Sequence, residues 1–232
     1  MSFRFKQFLI EDHRCAQKVG TDGVLLGAWT AVSAGDVLDV GSGSGLVTLM
    51  MAQRMPEARF WGIDIDADSV EQARENAAAS RWADRICFEE GDFTSFDFGR
   101  QFDAIVSNPP FFEKALECPD KRRAAARHSS ALPLQTLAER SGELLREGGR
   151  LTVILPYEAT ADFIFHCQTT GLTLERRCDI KTVERKAVRR CLLQFVKAHI
   201  ATYTAETLTL LDADGKRTAE HEKLTKDYYL DK

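Results

Sequence analysis

A short segment, Asn108-Pro109-Pro110-Phe111, has the residue types needed to activate an amino group on a flat ring. Two consecutive prolines stiffen a turn, because each fixes its own φ and neither has an N–H for a strand ladder. The Asn108 side-chain oxygen and the Pro109 carbonyl could then accept both hydrogens of the amino group and turn its lone pair towards a methyl donor. Phe111 offers a face for stacking. We predict that these four residues are catalytic, although Asn-Pro-Pro alone is also typical of a plain turn.

A glycine-rich stretch, Val37 to Gly45, precedes this segment in the chain and reads Val-Leu-Asp-Val-Gly-Ser-Gly-Ser-Gly. An apolar run comes before the glycines and Leu46 to Ala52 follows with helical spacing, so the pattern predicts a strand, a tight turn and a helix. Glycines at such a turn let a ligand approach the backbone closely. The alternative is a βα turn that binds no ligand.

The spacing of the glycines and one carboxylate indicate which ligand this turn binds. A dinucleotide turn needs a third glycine at position 46, which is Leu46 here. Asp39, at the predicted strand end, would repel a pyrophosphate and attract a cation. S-adenosylmethionine carries an ammonium and a sulfonium, so we predict that it binds here. The predicted cofactor residues of this turn are Asp39, Gly41, Gly43 and Gly45.

The next predicted strand, Arg59 to Asp66, also ends in carboxylates. Asp64 lies 19 residues after Gly45, and an acidic residue at the end of the second strand can accept hydrogen bonds from both ribose hydroxyls. We therefore predict that Asp64 holds the ribose, with Asp66 as the less favoured candidate.

Both motifs resemble those of a known enzyme class. Asp39 to Gly45 resembles the first motif of Rossmann-like methyltransferases, and Asn108 to Phe111 resembles the Asn-Pro-Pro-Phe/Tyr motif of N-methyltransferases acting on adenine, guanine or glutamine amides. The resemblance implies that Asp92 accepts a hydrogen bond from the adenine amino group of the cofactor. It also implies that Phe93 packs on that ring or donates its backbone N–H. The alternative for Asp92 is an Asx turn.

The segment before the first large strand, residues 1–30, is expected to cover the methionine end of the cofactor by the same resemblance. Lys18 would pair with the cofactor carboxylate, and Thr21 or Asp22 would hold the ammonium. The alternatives are a solvated Lys18 and a Thr21 or Asp22 that caps the helix expected over Val24 to Trp29.

Basic side chains form two clusters that are candidates for contacts with RNA phosphates. The first lies in a predicted loop over the site, residues 113–132, and the second lies between the last two predicted strands. The alternative for the loop is a solvated, mobile segment. The candidate RNA-binding residues are Lys121, Arg122, Arg123, Arg127, Arg185, Lys186, Arg189 and Arg190.

Composition excludes several classes of protein. The chain has 232 residues, 44% of them hydrophobic and 28% charged, as in an ordinary globular protein. Its net charge of -4 argues against coating nucleic acid by bulk electrostatics.

Six scattered cysteines and five dispersed histidines predict reduced thiols and no metal site. No apolar run is long enough to span a membrane and no signal peptide is visible, so we expect a cytoplasmic protein with no membrane partner. We expect it to be a monomer.

The alternation of predicted strands and helices indicates an α/β fold in a single domain, residues 1–232. Five βα units and a terminal strand pair predict a mostly parallel, seven-stranded sheet with helices on both faces and the ligand at the carboxyl ends of the strands. The strand order 3-2-1-4-5-7-6, with the last strand antiparallel, is implied by the resemblance to class I methyltransferases. Residues 205–232 form a C-terminal extension with a short strand near Glu206 to Leu211.

Segments along nearly the whole chain are similar to the bacterial valine-tRNA adenine-N6 methyltransferases. This resemblance implies S-adenosylmethionine-dependent methylation of the adenine 3′ of the anticodon, with tRNA as the partner and the base flipped into the site. Phe112 departs from the pattern, where a tyrosine or a polar residue is expected. The segments that carry the resemblance are Phe5 to Phe8, Asp12 to Gly23, Leu25 to Trp29, the glycine turn, Asn108 to Phe111 and Leu224 to Leu230.

Other functions remain open at this point. The nearest is an N-methyltransferase acting on a protein glutamine amide, a ribosomal RNA base or DNA adenine. An oxidoreductase is disfavoured by the missing third glycine and by Asp39. The third alternative is a catalytically silent RNA-binding module, which would not bind S-adenosylmethionine.

Overall fold

Strands and helices alternate along the computed structural model, which describes residues 2–31, 34–110 and 132–230. The strands are β1 (Ser2–Arg4), β2 (Leu9–Glu11), β3 (Gly35–Val40), β4 (Ala58–Asp64), β5 (Ile86–Glu90), β6 (Phe102–Ser107), β7 (Leu145–Pro156), β8 (Thr173–Val183), β9 (Arg190–Val196) and β10 (Thr204–Leu211). The helices are α1 (Thr21–Trp29), α2 (Leu46–Arg54), α3 (Ala67–Ala78), α4 (Leu134–Leu144), α5 (Thr160–Thr169) and α6 (Ala219–Thr225).

One large sheet organises the fold, with its strands in the order β10-β8-β9-β7-β6-β3-β4-β5. β9 is antiparallel to both of its neighbours, and the other pairs are parallel. Seven of these strands, taken in the reverse direction as β5-β4-β3-β6-β7-β9-β8, correspond to the predicted order 3-2-1-4-5-7-6. The predicted order is therefore confirmed. β10 adds an eighth strand to the seven predicted, because its backbone pairs with the outer edge of β8 and covers it.

Two features of the strands differ from what the sequence pattern indicates. β1 and β2 form a separate antiparallel pair that the pattern did not predict, since three-residue strands are too short to show alternation. β7 begins at Leu145 and continues through Gly148 and Gly149 to Pro156, whereas the apolar pattern of the sequence indicates a strand only from Arg150.

Aromatic residues join the two ends of the chain. Phe5 and Phe8 are buried and stack at 4.7 Å between ring centroids. The ring of Tyr229 lies 6.1 Å from that of Phe5, and the hydroxyl of the buried Tyr228 donates a 3.0 Å hydrogen bond to the Met50 carbonyl on α2. The N-terminal hairpin and the C-terminal tail therefore pack together against the first large βα unit.

The two faces of the sheet carry separate hydrophobic cores. One core contains residues of α1 and α2, including Leu25 and Met50, and the other contains residues of α4 and α5, including Leu137 and Phe163. Helices thus cover both faces, as predicted. No helix in the described ranges has the length and apolar content that a bilayer crossing requires.

Candidate active site

The register of two neighbouring strands places the glycine turn beside the Asn-Pro-Pro segment. Val40, the last residue of β3, pairs with Ser107, the last residue of β6. The buried Ser107 hydroxyl also donates a 2.8 Å hydrogen bond to the Val40 carbonyl. Gly41 and Asn108 are the next residues of their chains, so both segments begin at the same level of the carboxyl edge.

Positive φ angles shape the glycine turn. Gly41, Gly43 and Gly45 have φ angles of 70°, 52° and 78°, a region that residues with a Cβ seldom adopt. The Gly41 N–H donates to the Ile63 carbonyl at 2.9 Å, and the Gly43 N–H donates to the Asp64 carboxylate at 2.8 Å. The turn is therefore held against the end of the neighbouring strand β4.

A cavity of about 330 Å³ lies over this turn. A Cβ built at Gly41 or Gly43 would meet no atom within 4 Å among the described residues, so these glycines leave room for a ligand. The buried Ser42 hydroxyl has no hydrogen-bond partner in the same set of residues. The free volume and the unpaired hydroxyl fit a cofactor lying along the turn. Lining residues include Lys18, Thr21, Asp22, Gly23, Asp39, Gly41, Ser42, Gly43, Ser44 and Asn108.

Asp39 is a buried carboxylate at the wall of this cavity. It is 3% exposed and accepts a 2.7 Å hydrogen bond from the Thr48 hydroxyl on α2. The pKa of Asp39 is raised to about 7, chiefly by burial and to a smaller extent by the nearby Asp64, against the lowering effect of the hydrogen bonds from Thr48. A cation in the cavity would favour the ionised form, since opposite charges attract strongly where water is excluded.

The two carboxylates at the end of β4 have different hydrogen-bond partners. Asp64 accepts hydrogen bonds from the backbone N–H groups of Gly43 and Asp66, and burial still raises its pKa. Asp66 is the N-cap of α3 and accepts from the Ser69 N–H and hydroxyl. Asp66 thus has a structural role, which leaves Asp64 as the carboxylate beside the turn. Ile65 between them is 57% exposed and was not predicted as a site residue.

Lys18, Thr21 and Asp22 line the cavity, and Lys18 and Asp22 have protein partners. The Lys18 ammonium donates to the carbonyls of Asp12 and Cys15 at 2.7 and 2.8 Å. Asp22 accepts a 2.9 Å hydrogen bond from the Arg190 guanidinium. Thr21 is the first residue of α1, whose N-cap is Gly20, so neither Thr21 nor Asp22 caps this helix. Lys18 therefore holds the shape of its own loop.

Asp92 and Phe93 lie after β5 and do not line the cavity wall described above. The exposed Asp92 carboxylate accepts a 2.8 Å hydrogen bond from the Thr94 N–H, as in an Asx turn. The Phe93 side chain is buried in the core on the α4 and α5 side of the sheet. The ring of Phe93 is thus used for packing, which leaves its backbone for a cofactor contact.

The residues of the Asn-Pro-Pro segment differ in exposure. Asn108 is partly buried and lines the cavity, Pro109 is buried and Pro110 is exposed. A Cβ built at Gly23 of α1 would lie 4.0 Å from the Asn108 amide nitrogen, so α1 closes over the amide. Phe111 lies outside the described residues.

One of the two basic clusters lies at the same edge of the sheet as Asn108. Pro156, the last residue of β7, pairs with Arg190, the first of β9, which brings the turn between β8 and β9 to the carboxyl edge. Arg185, Lys186 and Arg189 of this turn are exposed, whereas Arg190 is partly buried against Asp22. The residues of the other cluster, Lys121, Arg122, Arg123 and Arg127, lie outside the described ranges.

Asn76 is a positioning residue that the sequence-based prediction missed. Its buried side-chain amide donates to the carbonyls of Glu11 and Ser44 at 2.8 and 2.9 Å, and its oxygen accepts from the Glu11 N–H at 3.0 Å. It thus joins β2 to the glycine turn. Helical spacing carries the signal, because Asn76 follows the buried Ala73 by three residues and therefore lies on the same side of α3.

Potential metal ligands are dispersed through the described part of the chain. No group of three or more His, Cys, Asp or Glu side chains there could hold a metal ion. Five cysteines of that part are free thiols, and four of them are buried: Cys15, Cys167, Cys178 and Cys191.

Comparisons with known proteins identify the family of this chain. Residues 19–166 match the methyltransferase small domain family. The chain is 45% identical to a tRNA1(Val) (adenine(37)-N6)-methyltransferase of Phocaeicola vulgatus, covering 98% of this chain and 97% of the relative. A relative of the same name from Porphyromonas gingivalis is 41% identical, with 98% and 94% covered.

Solved structures show the same fold at lower identity. A predicted O-methyltransferase from Agrobacterium tumefaciens superposes with a TM-score of 0.71 at 19% identity, covering 89% of this chain and 96% of that one. A putative class I S-adenosylmethionine-dependent methyltransferase from Listeria monocytogenes gives 0.56 at 15% identity, covering 88% and 65%. The fold is that of the class I methyltransferases, whose cofactor is S-adenosylmethionine. The chain belongs to the methyltransferase small domain family and, within it, to the tRNA1(Val) (adenine(37)-N6)-methyltransferases.

Proposed function

We propose that this chain transfers a methyl group from S-adenosylmethionine to N6 of adenine 37 in valine tRNA. The observation that carries the proposal is the pairing of Val40 with Ser107, which sets Asn108 at the wall of the cofactor cavity. The relatives that match the chain from end to end bear the name of this activity.

The residues of the Asn-Pro-Pro segment orient the adenine amino group. The Asn108 side-chain oxygen and the Pro109 carbonyl accept its two hydrogens, and Phe111 stacks on the base. The two hydrogen bonds draw the amino nitrogen out of conjugation with the adenine ring and direct its lone pair at the methyl group. The cofactor supplies an electrophilic methyl group on a sulfonium. The N–C bond forms as the C–S bond breaks, and the amino nitrogen then releases one proton to water. Positioning accounts for most of the rate.

The cofactor's adenosine end lies along the ends of β4 and β5 in this proposal. Asp64 accepts from the ribose hydroxyls, since Asp66 is occupied as a helix cap. The exposed side chain of Ile65 offers an apolar surface for the adenine ring. Asp92 accepts from the adenine amino group and Phe93 contributes its backbone N–H.

The methionine end lies over the glycine turn and below α1. Asp39 provides the negative charge for the cationic cofactor, and Gly41 and Gly43 leave the space that it fills. Thr21 and Asp22 line the cavity near the ammonium, while Lys18 keeps the covering loop in shape through its bonds to backbone carbonyls.

The remaining assignments concern the whole protein. We propose one methyltransferase domain over residues 1–232, acting as a monomer in the cytoplasm without a metal. RNA phosphates contact the two basic clusters, of which the one after β8 lies at the same edge as Asn108.

The test is methyl transfer from labelled S-adenosylmethionine into total tRNA of a strain that lacks this gene, followed by nucleoside mass spectrometry. We expect N6-methyladenosine in one tRNA, and no incorporation into tRNA from a strain that keeps the gene, because that site is already methylated. Label in a glutamine amide, ribosomal RNA or DNA, with none in tRNA, would replace this function by one of the other N-methyltransferase activities.

A further inference from the structure

We propose that Tyr157 and Arg189 form a second nucleotide subsite, in which a base next to the target adenine stacks on the Tyr157 ring and Arg189 contacts its phosphate. This inference rests on the proposed function and adds a specificity-determining contact to it. Tyr157 follows the last residue of β7 and is 45% exposed.

The register of the sheet places Tyr157 at the active-site edge. Val153 of β7 pairs with Ser107, the residue before Asn108. Three residues later, Pro156 pairs with Arg190 at the start of β9. Tyr157 therefore projects from the carboxyl edge, one strand away from the segment that holds the adenine amino group.

The backbone of Tyr157 is fixed while its ring stays accessible. Its N–H donates a 3.2 Å hydrogen bond to the Arg189 carbonyl, and its own carbonyl accepts from the Thr160 hydroxyl at the start of α5. The guanidinium of Arg177 lies 5.7 Å from the centre of the ring and is itself held by Asp179 at 2.7 Å. An aromatic ring held in this way loses little conformational entropy when a base stacks on it.

The charges around Tyr157 favour an RNA strand that passes over the β8–β9 turn. Arg185, Lys186 and Arg189 of that turn are exposed, and its acidic residue Glu184 accepts a 3.0 Å hydrogen bond from Lys181. Glu158, exposed next to Tyr157, disfavours a phosphate at the ring itself. We therefore assign the ring to a base and Arg189 to the phosphate.

An ion pair connects this subsite to the methyl-transfer site. Arg190, next to Arg189, donates to Asp22 at 2.9 Å, and Asp22 and Asn108 line the same cavity. A flipped adenine at Asn108 and a neighbouring base at Tyr157 would thus lie on adjacent parts of one edge. Such a contact would select among tRNA loops by the nucleotides that flank the target.

The experiment compares Tyr157→Ala, Tyr157→Phe and the control Tyr203→Ala. Tyr203 is 52% exposed and precedes β10, at the opposite edge of the sheet. The probe is a valine-tRNA anticodon stem-loop with 5-iodouridine in turn on each side of the target adenine. Binding of the stem-loop is measured by fluorescence polarisation, and ultraviolet crosslinks are located by peptide mass spectrometry. Calorimetry measures the affinity of each variant for S-adenosylmethionine and thereby checks that the variant is folded.

We expect Tyr157→Ala to bind the stem-loop about 10-fold more weakly, since stacking on an aromatic ring contributes roughly that much. Tyr157→Phe and Tyr203→Ala should bind within twofold of wild type, and the wild-type crosslink should fall on Tyr157. Wild-type affinity of Tyr157→Ala, or crosslinks only at other residues, would overturn the subsite while leaving methylation by the wild type intact. If the wild type neither binds nor methylates the stem-loop, the proposed function fails first.

Discussion

The Ser107 hydroxyl donates a 2.8 Å hydrogen bond to the carbonyl of Val40, and these two residues are also partners in the sheet. This contact aligns two segments that lie more than sixty residues apart in the chain. The glycine turn follows one partner and the Asn-Pro-Pro segment follows the other. The register between β3 and β6 therefore sets the level of Gly41 relative to Asn108.

Asn108→Ala should abolish most turnover and leave cofactor binding nearly intact. The variant loses one of the two acceptors that orient the amino group, and loss of a preorganised polar contact of this kind costs roughly 100-fold in kcat. Single-turnover methylation of valine tRNA measures the rate, and calorimetry with S-adenosylmethionine measures the affinity. A near-normal rate would show that Asn108 does not orient the amino group.

Gly41→Ala should weaken S-adenosylmethionine binding by about 10-fold or more, because its Cβ would enter the cavity. Gly215→Ala is the matched control. Gly215 has a φ of 77°, close to the 70° of Gly41, and lies in a surface turn after β10. Both variants should lose roughly 1–2 kcal/mol of stability from backbone strain. Equal cofactor affinity in the two variants would mean that the space over Gly41 is not the cofactor site.

The raised pKa of Asp39 predicts a pH dependence of folding. Burial moves the pKa from its ordinary 3.8 to about 7, so between about pH 4 and 7 the folded protein keeps a proton at Asp39 that the unfolded chain has lost. The contribution of this residue to stability is therefore full below pH 4 and is lost as the pH rises towards 7. Asp39→Asn should remove that slope in urea unfolding across this range. Asp97→Asn, at an exposed aspartate, should retain it.

The same carboxylate should link cofactor affinity to pH with the opposite sign. A cationic ligand favours ionised Asp39, so S-adenosylmethionine should bind more tightly as the pH rises through about 7 and should release a proton on binding below it. Calorimetry in two buffers of different ionisation enthalpy counts that proton. A proton count near zero at pH 6, or an unchanged count in Asp39→Asn, would contradict this role for Asp39.

Asn76→Ala should loosen the cofactor site from a distance. The change removes three hydrogen bonds to Glu11 and Ser44 and leaves buried polar groups unpaired, at a cost of about 2 kcal/mol. S-adenosylmethionine affinity should fall with it, because Ser44 belongs to the glycine turn. Ser80→Ala, past the end of the same helix, removes bonds to Ala77 and Trp82 only and should leave that affinity unchanged. If both variants bind the cofactor equally well, the link between Asn76 and the turn is not functional.

Sequence patterns predicted those parts of the fold that depend on residues close together in the chain. The strand, turn and helix around Gly41 depend on residues within a few positions of one another, and the structure has them where the pattern places them. The order of the strands required the family resemblance, because pairing between distant segments leaves no mark in local periodicity. β10 shows the limit, since nothing in its composition indicates that it pairs with β8.

Side-chain partners in the site were the least predictable feature. The contact of Lys18 with the cofactor carboxylate stays a prediction, while the hydrogen bonds of its ammonium to carbonyls of its own loop depend on how that loop folds back and could not be read from the sequence. The ion pair between Asp22 and Arg190 joins residues 168 positions apart. Such contacts form only after the sheet has brought distant segments of the chain together at its carboxyl edge.

The measurement that tests the account most directly is methylation of two valine tRNA transcripts that differ at position 37. With purified protein and labelled S-adenosylmethionine, we predict one methyl group per transcript carrying adenine 37, recovered as N6-methyladenosine, and none in the transcript carrying guanine there. Equal labelling of both transcripts, or a methylated nucleoside other than N6-methyladenosine, would contradict the proposed reaction.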